Sequence, residues 1–376
     1  MTTTRTDEAA RVDVTAAVTP GTLLAWGRNI TGQLGDGTTT DRALPAPVPG
    51  LTAVTALSEG SGHTLAVLSN GTVRAWGSNS NGQLGDGTKT NRSTPAPVPG
   101  LTGVVAVAGG LAHSLALLAD GRLFAWGGNL LGQLGVSDSS SDHLTPVQVQ
   151  NLGLTRVKAV AAGDNFTLVL SSDGTVLACG DNVSGALGDG TTTDRSTLAP
   201  VQNLIPAKAI AAGRRHSMAL TSNGVIRAWG DNSNGQLGNG STTDSPLPVT
   251  VSTQSLDGPA IAVASRGQHS LALMANGRIK GWGDNSEGQL GDGTTNNPRV
   301  FPVQVASGAD TAIAIAVGFT HSMALLTNGT VRAWGNNTDG QVGDGTTIDR
   351  TRPAQVSGLV GITAVTAAGN SSFALQ

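Results

Sequence analysis

The sequence has one cysteine, no tyrosine and five phenylalanines in 376 residues. A single thiol, Cys179, excludes an intramolecular disulfide and a CxxC metal or redox site. Charged residues make up 12% and the net charge is −3, so no basic field points to a nucleic-acid partner. No run approaches the roughly 18 consecutive apolar residues of a membrane-crossing helix. The first residues, MTTTRTDEAARVDVTAAVTP, lack the apolar core of a signal peptide. Catalytic signatures are missing too: there is no G-x-S-x-G elbow, P-loop or H-E-x-x-H, and no G-x-G-x-x-G between a strand and a helix. The expectation is a cytoplasmic monomer without cofactor or metal, and with neither membrane nor nucleic acid as partner.

What is abundant is glycine, at 53 residues, beside 16 prolines. At 38% apolar residues the chain is too hydrophobic for disorder. It is also too rich in Gly, Val and Thr for a helical bundle. An internal repeat decides the matter. AWG recurs at Ala25, Ala75, Ala125, Ala228 and Ala333, with ACG at Ala178 and GWG at Gly281, in steps of 50, 50, 53, 50, 53 and 52 residues. These are seven copies of one unit.

The copy from Val104 to Leu134 reads as alternating strand and turn. VVAVA is a short buried strand, GGLAH a tight loop, HSLALL a second strand and RLFAWG a third. Asn-Gly or Asp-Gly closes the second hairpin at Asn70-Gly71, Asp120-Gly121, Asp173-Gly174, Asn223-Gly224, Asn276-Gly277 and Asn328-Gly329, which predicts type I′ turns. A glycine-rich turn follows, then a proline-bearing stretch such as PAPVPGL. Proline cannot donate to a central ladder, so this stretch is the outer edge strand. Four strands in each of seven units predict an all-β, seven-bladed β-propeller. The chain stops at AGNSSFALQ, after two strands of a unit, and enters through PGTLLAWG, a third strand. The N- and C-terminal strands are therefore expected to close the ring together. Residues 1–19 are expected to form a tail and 20–376 a single propeller.

The unit G-x-x-H-[ST]-x-A-L, N-G-x-[VL]-x-x-W-G and N-x-x-G-Q-L-G-D-G resembles the repeat of the regulator of chromosome condensation (RCC1) family, over about residues 21–376. The resemblance implies the seven-bladed propeller. It does not imply one function, because that family includes a nucleotide exchange factor for a small GTPase, a plant ultraviolet receptor, modules of ubiquitin ligases and a bacterial inhibitor of β-lactamase.

Repeated residues read first as scaffold. His63, His113, His216, His269 and His321 share one blade position and are expected to donate a hydrogen bond within their own blade. His143, in a divergent Ser/Asp loop, reads as solvated surface. All six tryptophans lie in the W-G motif and are expected between blades, which leaves none for an ultraviolet receptor's interaction face. Asp36, Asp86, Asp189, Asp292 and Asp344 supply one carboxylate per loop, too few for calcium. They read instead as Asx turns, with Arg42, Arg92, Arg195 and Arg350 as local partners. Cys179 stands in place of a tryptophan and reads as core.

Recognition must then come from positions that break the repeat. The two positions between the repeat glycine and the histidine position vary most in each unit: Ser61-Gly62, Leu111-Ala112, Asp164-Asn165, Arg214-Arg215, Gly267-Gln268, Phe319-Thr320 and Asn370-Ser371. Their loops are expected to crowd one mouth of the central channel, where propeller ligands commonly bind. Arg266 replaces a repeat glycine, Phe166 replaces a histidine, and Glu59 precedes a loop glycine. The candidate ligand-binding residues are Arg214, Arg215, Arg266, Gln268, Asn165, Phe166, Phe319 and Leu111. Paired guanidinium groups suit a carboxylate or phosphate. The inhibitor branch of the family bears aromatic contacts on these loops. Here only Phe166 and Phe319 are aromatic, so that type of interface is not expected.

The favoured reading is a recognition module that presents these loops to a protein partner or a small anionic ligand. A rival is a cofactor-independent enzyme, a cyclase or isomerase, with Asp164 or Glu59 as acid or base. A second rival, from the resemblance alone, is guanine-nucleotide exchange.

Overall fold

The computed structural model describes residues 21–139, 141–150, 156–309 and 311–376. The tail expected at 1–19 lies outside the described residues. Twenty-eight strands, numbered β1–β28 in chain order, form seven antiparallel sheets of four strands. Blade 1 holds β3–β6, from Val54 to Pro97, and each next group of four strands makes the next blade through blade 6. Blade 7 has the order β2-β1-β28-β27, with β2 at Arg42–Pro47 and β27 at Ala364–Ala368. There β1 (Leu23–Gly27) pairs with β28 (Ser371–Leu375), Leu23 opposite Leu375 and Gly27 opposite Ser371. Both ends of the described chain thus build the closing blade, as the sequence predicts.

Each strand's composition follows from its distance to the axis. In blade 2 the inner strand β7 (Val104–Gly109) carries small residues that let seven such strands converge. The second strand, β8 (His113–Leu118), is buried along its whole length. The third, β9 (Leu123–Gly127), carries the tryptophan. The outer strands are the least buried of each blade and hold prolines, as in RSTPAP at Arg92–Pro97, which blunts the edge against pairing with another chain.

The hairpin turns differ from the type I′ expectation. Gly71 has φ 74°, but Asn70 is not among the described non-glycine residues with positive φ, which are Ala53, Ser137 and Asn203. Gly71 N donates to Leu68 O at 2.8 Å, and Leu68 N donates to Thr72 O at 2.9 Å. This is the type I turn followed by a left-handed glycine that makes a G1 bulge. The asparagine acts through its side chain instead, accepting from Thr72 N at 3.1 Å.

Blades are joined by apolar clusters and by a repeated polar latch. Between blades 1 and 2, Trp126 packs with Leu65, Leu84, Val98 and Val107. Its Nε1 donates to Gln83 O at 2.9 Å, and Ser114 Oγ donates to the same carbonyl at 2.7 Å. His63 Nε2 lies 2.9 Å from Ser114 Oγ. The hydroxyl's one proton is directed at the carbonyl, so the imidazole donates from Nε2. The same contact recurs as His113 to Thr167, His216 to Ser270, His269 to Ser322 and His321 to Ser372, at 3.2, 2.9, 2.8 and 2.9 Å. The histidines are structural, but each reaches the following blade rather than its own. Strand spacing explains this: the ring points across the inter-blade seam, where the next blade's hydroxyl is the nearest partner. Burial pushes His63, His113, His269 and His321 down to about 3, and His216 to about 4, so all five are neutral. Gly110 is needed beneath His113, because a Cβ there would run into the imidazole.

Candidate functional site

Every loop between a first and a second strand lies at one end of the ring, here called the upper face. The W-G ends of the third strands lie at the same end, since His113 pairs with Gly127. Backbone bonds stitch neighbouring loops together. Leu111 N donates to Asp164 O at 2.8 Å, Asp164 N to Arg214 O at 3.2 Å and Arg214 N to Gly267 O at 2.9 Å. The variable positions of blades 2 to 5 therefore form one continuous arc rather than separate loops.

Arg266 closes the upper end of the channel. It directly follows the inner strand of blade 5, Ala260–Ser265, and its Nη1 donates to Ala162 O of blade 3 at 2.8 Å. Its guanidinium carbon lies 5.7 Å from the Phe319 ring centroid, within cation–π range. Glu59 and Asp164 are buried beside it. Glu59 Oε2 accepts from Ala368 N at 3.1 Å. Burial raises the Glu59 carboxyl well above the usual range, against hydrogen bonds from Ser371 and Ala368 and the charge of Arg266. Burial likewise raises Asp164, opposed by Arg266 and then by Arg214. Beneath this closure the channel cavity is about 70 Å³, lined mainly by small side chains such as Ala108, Ala162 and Ala212.

The structure divides the predicted residues into groups. Glu59, Asp164, Arg266 and Phe319 meet at the closure. Arg214 and Arg215 stand exposed outside it, and Arg214 Nε is 3.3 Å from Asp164 Oδ2. Leu111, 41% exposed, adjoins them along the arc. Asn165 and Gln268 are half-buried, and their carbonyls accept from Asp181 N and Asp284 N at 2.9 Å each. Phe166 departs from its expected role. It is 1% exposed and sits in the cluster with Leu168, Ile210 and Trp229, and it meets the surface only as a lining residue of the shallow depression beside Arg215. Its ring fills the place over Gly163 that histidine fills over the other repeat glycines.

Two large side chains on the upper face were not singled out in the sequence. Leu130 is 68% and Val183 60% exposed. Both follow the asparagine of N-x-x-G, where blades 1, 4, 5 and 6 carry Ser80, Ser233, Ser286 and Thr338. That departure was the available signal. Val183 and Arg215 border one shallow depression together with Asp181. Ile30 of blade 7 is also exposed, but blade 1 separates it from this group.

The acidic loops behave as Asx turns. Asp86 Oδ1 accepts from Thr88 N and Oγ1 at 3.0 and 2.7 Å, and Arg92 Nε lies 2.6 Å from Oδ2. Asp36–Arg42, Asp189–Arg195 and Asp344–Arg350 repeat this pairing, and Asp292–Arg299 joins them at 2.6 Å. Hydrogen bonds and the arginine hold these carboxyls below the usual range despite burial. His143 is not free surface. It occupies the arginine's strand position and lies 3.4 Å from Asp138. Cys179 is buried, its Sγ 3.6 Å from Gln133 O, where the other blades place an indole.

Comparison with known proteins agrees with this architecture. The model of the RCC1-like domain matches residues 3–270 and 154–376. The ultraviolet-B receptor UVR8 of Arabidopsis thaliana is 33% identical over 222 residues, 58% of this chain and 50% of that protein. The human probable E3 ubiquitin-protein ligase HERC3 is 47% identical over 205 residues, 53% of this chain and 19% of that one. The chain thus spans half or less of the curated relatives it matches. Among solved structures, Prp20p of Saccharomyces cerevisiae, described with its binding to Gsp1p and histones, is 25% identical. It superposes with a TM-score of 0.83 over 95% of this chain and 91% of that one.

Proposed function

The chain belongs to the RCC1-like domain family, and from that premise we propose that it is a recognition module whose upper face binds a protein partner. One observation carries the proposal. Across blades 2 to 4, three exposed apolar side chains, Leu111, Leu130 and Val183, flank the exposed pair Arg214 and Arg215. Apolar anchors beside arginine make the composition of a binding hot spot. The complementary partner is a protein segment that pairs carboxylates with apolar side chains. Leu111 and the arginines sit on rigid, mutually bonded loops, so little ordering entropy is lost on docking.

At the upper mouth the geometry favours a protein over a metabolite. The channel cavity of about 70 Å³ is far below the roughly 300–1,000 Å³ of small-molecule pockets. The cyclase or isomerase reading is therefore not taken up. Nor is nucleotide exchange, which no feature of the upper face singles out. All six indoles are buried between blades, so the likeness to an ultraviolet receptor brings no exposed tryptophan here.

The test is quantitative capture from the native host with wild type, Arg214→Ser/Arg215→Gly and Leu130→Ser/Val183→Ser chains. Wild type should retain a protein that both variants lose by roughly tenfold or more. Equal retention by all three would refute the proposal.

A further inference from the structure

The opposite end of the ring, its lower mouth, carries a second feature. There the inner strands begin, the second strands end, and the turns into the third strands form a rim. A groove of about 810 Å³ runs over blades 1 to 3 at this end. Unlike the cavity beneath Arg266, it falls within the roughly 300–1,000 Å³ of small-molecule pockets.

A repeated irregularity supplies its side chains. The inner strands of blades 1 to 6 each shift register at their second residue: Thr55, Val105, Lys158, Lys208, Ile261 and Ile313. Such a bulge leaves its extra residue out of the ladder and re-aims the side chain. Thr55, Val105 and Lys158 line the groove, and Lys158 also lines the lower part of the channel. The residue type at the bulge breaks the repeat, and both lysines fall on neighbouring blades, 3 and 4.

The groove has an apolar wall and a basic end. Leu68, Val105 and Leu118 belong to the wall, and Val105 is 45% exposed, high for a valine on an innermost strand. At the blade 3 end, Arg156 and Lys158 are both exposed. Arg156 is already oriented, donating from Nη2 to Ala119 O at 2.6 Å. Lys158 makes no ion pair among the described residues. No acidic or aromatic residue is among the described residues that line the groove. The two carboxylates next in sequence to lining residues are engaged in their own turns. Asp120 pairs with Arg122 at 2.8 Å, and Asp173 accepts from Thr175 N at 2.9 Å. Without an aromatic ring the wall offers a flat ligand no stacking partner, so an extended aliphatic body suits it better.

We propose that the lower groove binds a small aliphatic carboxylate. Its chain lies on Val105 and Leu118, and its carboxylate sits between Arg156 and Lys158. The ammonium supplies a mobile charge, and the guanidinium presents the N–H donors not spent on Ala119 O. The exposed valine surface is covered at the same time. An inorganic anion would leave the wall wet, and a cationic amphiphile would meet like charge. This site is independent of the upper-face function.

Calorimetric titration of the full chain with sodium octanoate at low salt tests it. Wild type should bind with a Kd of about 1 mM or below. Bound octanoate should slow amide exchange in the rim turns at 68–71 and 118–121 and leave blade 5 unchanged. Lys158→Glu should weaken binding about tenfold, and Val105→Asp should do the same from the other side of the groove. If either chain fails to fold, Lys158→Gln carries the test with a several-fold loss. Octyltrimethylammonium and acetate, each with half of the chemistry, should bind about tenfold more weakly than octanoate or worse. Equal octanoate affinity in wild type and the folded variants overturns the proposal. So does octyltrimethylammonium binding as tightly as octanoate, since the groove would then select only for apolar surface.

Discussion

Acid should open this ring at a mildly acidic pH, and the five latch histidines set where. Each is neutral when folded, pushed down to about 3 or 4 by burial, and returns to about 6.5 on unfolding. The unfolded chain therefore binds more protons between these limits, so stability falls as pH falls through that window. At pH 5 the loss is about 2 kcal/mol per histidine relative to pH 7.5, from 1.36 kcal/mol per pH unit. Five such residues give about 10 kcal/mol, comparable with the roughly 5–15 kcal/mol of a whole ordinary domain. Glu59 and Asp164 act in the opposite sense, since their raised folded values add stability as pH falls, and they offset part of the loss. Urea unfolding followed by tryptophan fluorescence from pH 7.5 to 4 should show the midpoint collapsing between about pH 6 and 4.5. His216→Phe, which copies the natural Phe166 of blade 3, should lower the slope by about 1.4 kcal/mol per pH unit. A urea midpoint unchanged down to pH 4 would refute the reasoning.

Three further outcomes follow from the same contacts. Cys179, buried with its thiol pushed up to about 12, should resist thiol reagents at pH 8 until the chain unfolds; stoichiometric labelling of native protein would contradict its placement. Trp126→Ala should cost about 3–5 kcal/mol by thermal or urea denaturation, whereas Trp126→Phe should cost less, because a ring still fills much of the space among Leu65, Leu84 and Val107. Arg266→Gly restores the repeat glycine but removes the cation beside Glu59 and Asp164. It should cost about 3–5 kcal/mol at pH 7.5, and less near pH 5 as the carboxyls take up protons. A cost that does not change with pH would show that Arg266 acts by packing alone.

The ring was legible because its determinants are local and repeated. Strand period, the W-G motif and outer-strand proline each act within one unit, and seven copies reinforce one reading. What crosses a seam was less legible. The histidine position was visible, but its hydroxyl partner lies 51 to 54 residues away on the next blade. The turn type was missed because Asn-Gly fits two hairpin geometries, and the choice depends on strand register. At the site, Arg214, Arg215 and Arg266 stood out as breaks in the repeat. The sequence did not separate the exposed pair from the residue that closes the channel, because one loop position can face either way. Phe166 stood out for a related reason: a buried ring in place of a buried ring breaks the motif while leaving the side chain almost wholly in the core. Leu130 and Val183 were overlooked because apolar residues are common throughout this chain, although each replaces the hydroxyl residue that four other blades carry after the repeat asparagine.

The most direct test of the central claim is face-resolved binding. A partner captured by the wild-type chain should be rebound in purified form to wild type, to Arg214→Ser/Arg215→Gly and to a lower-groove control, Val105→Ser/Lys158→Ser, with Kd measured at two salt concentrations. The account predicts a loss of about tenfold or more for the upper-face variant, with no change for the control and weaker binding at higher salt. Full affinity in the upper-face variant, or a loss confined to the control, would contradict it.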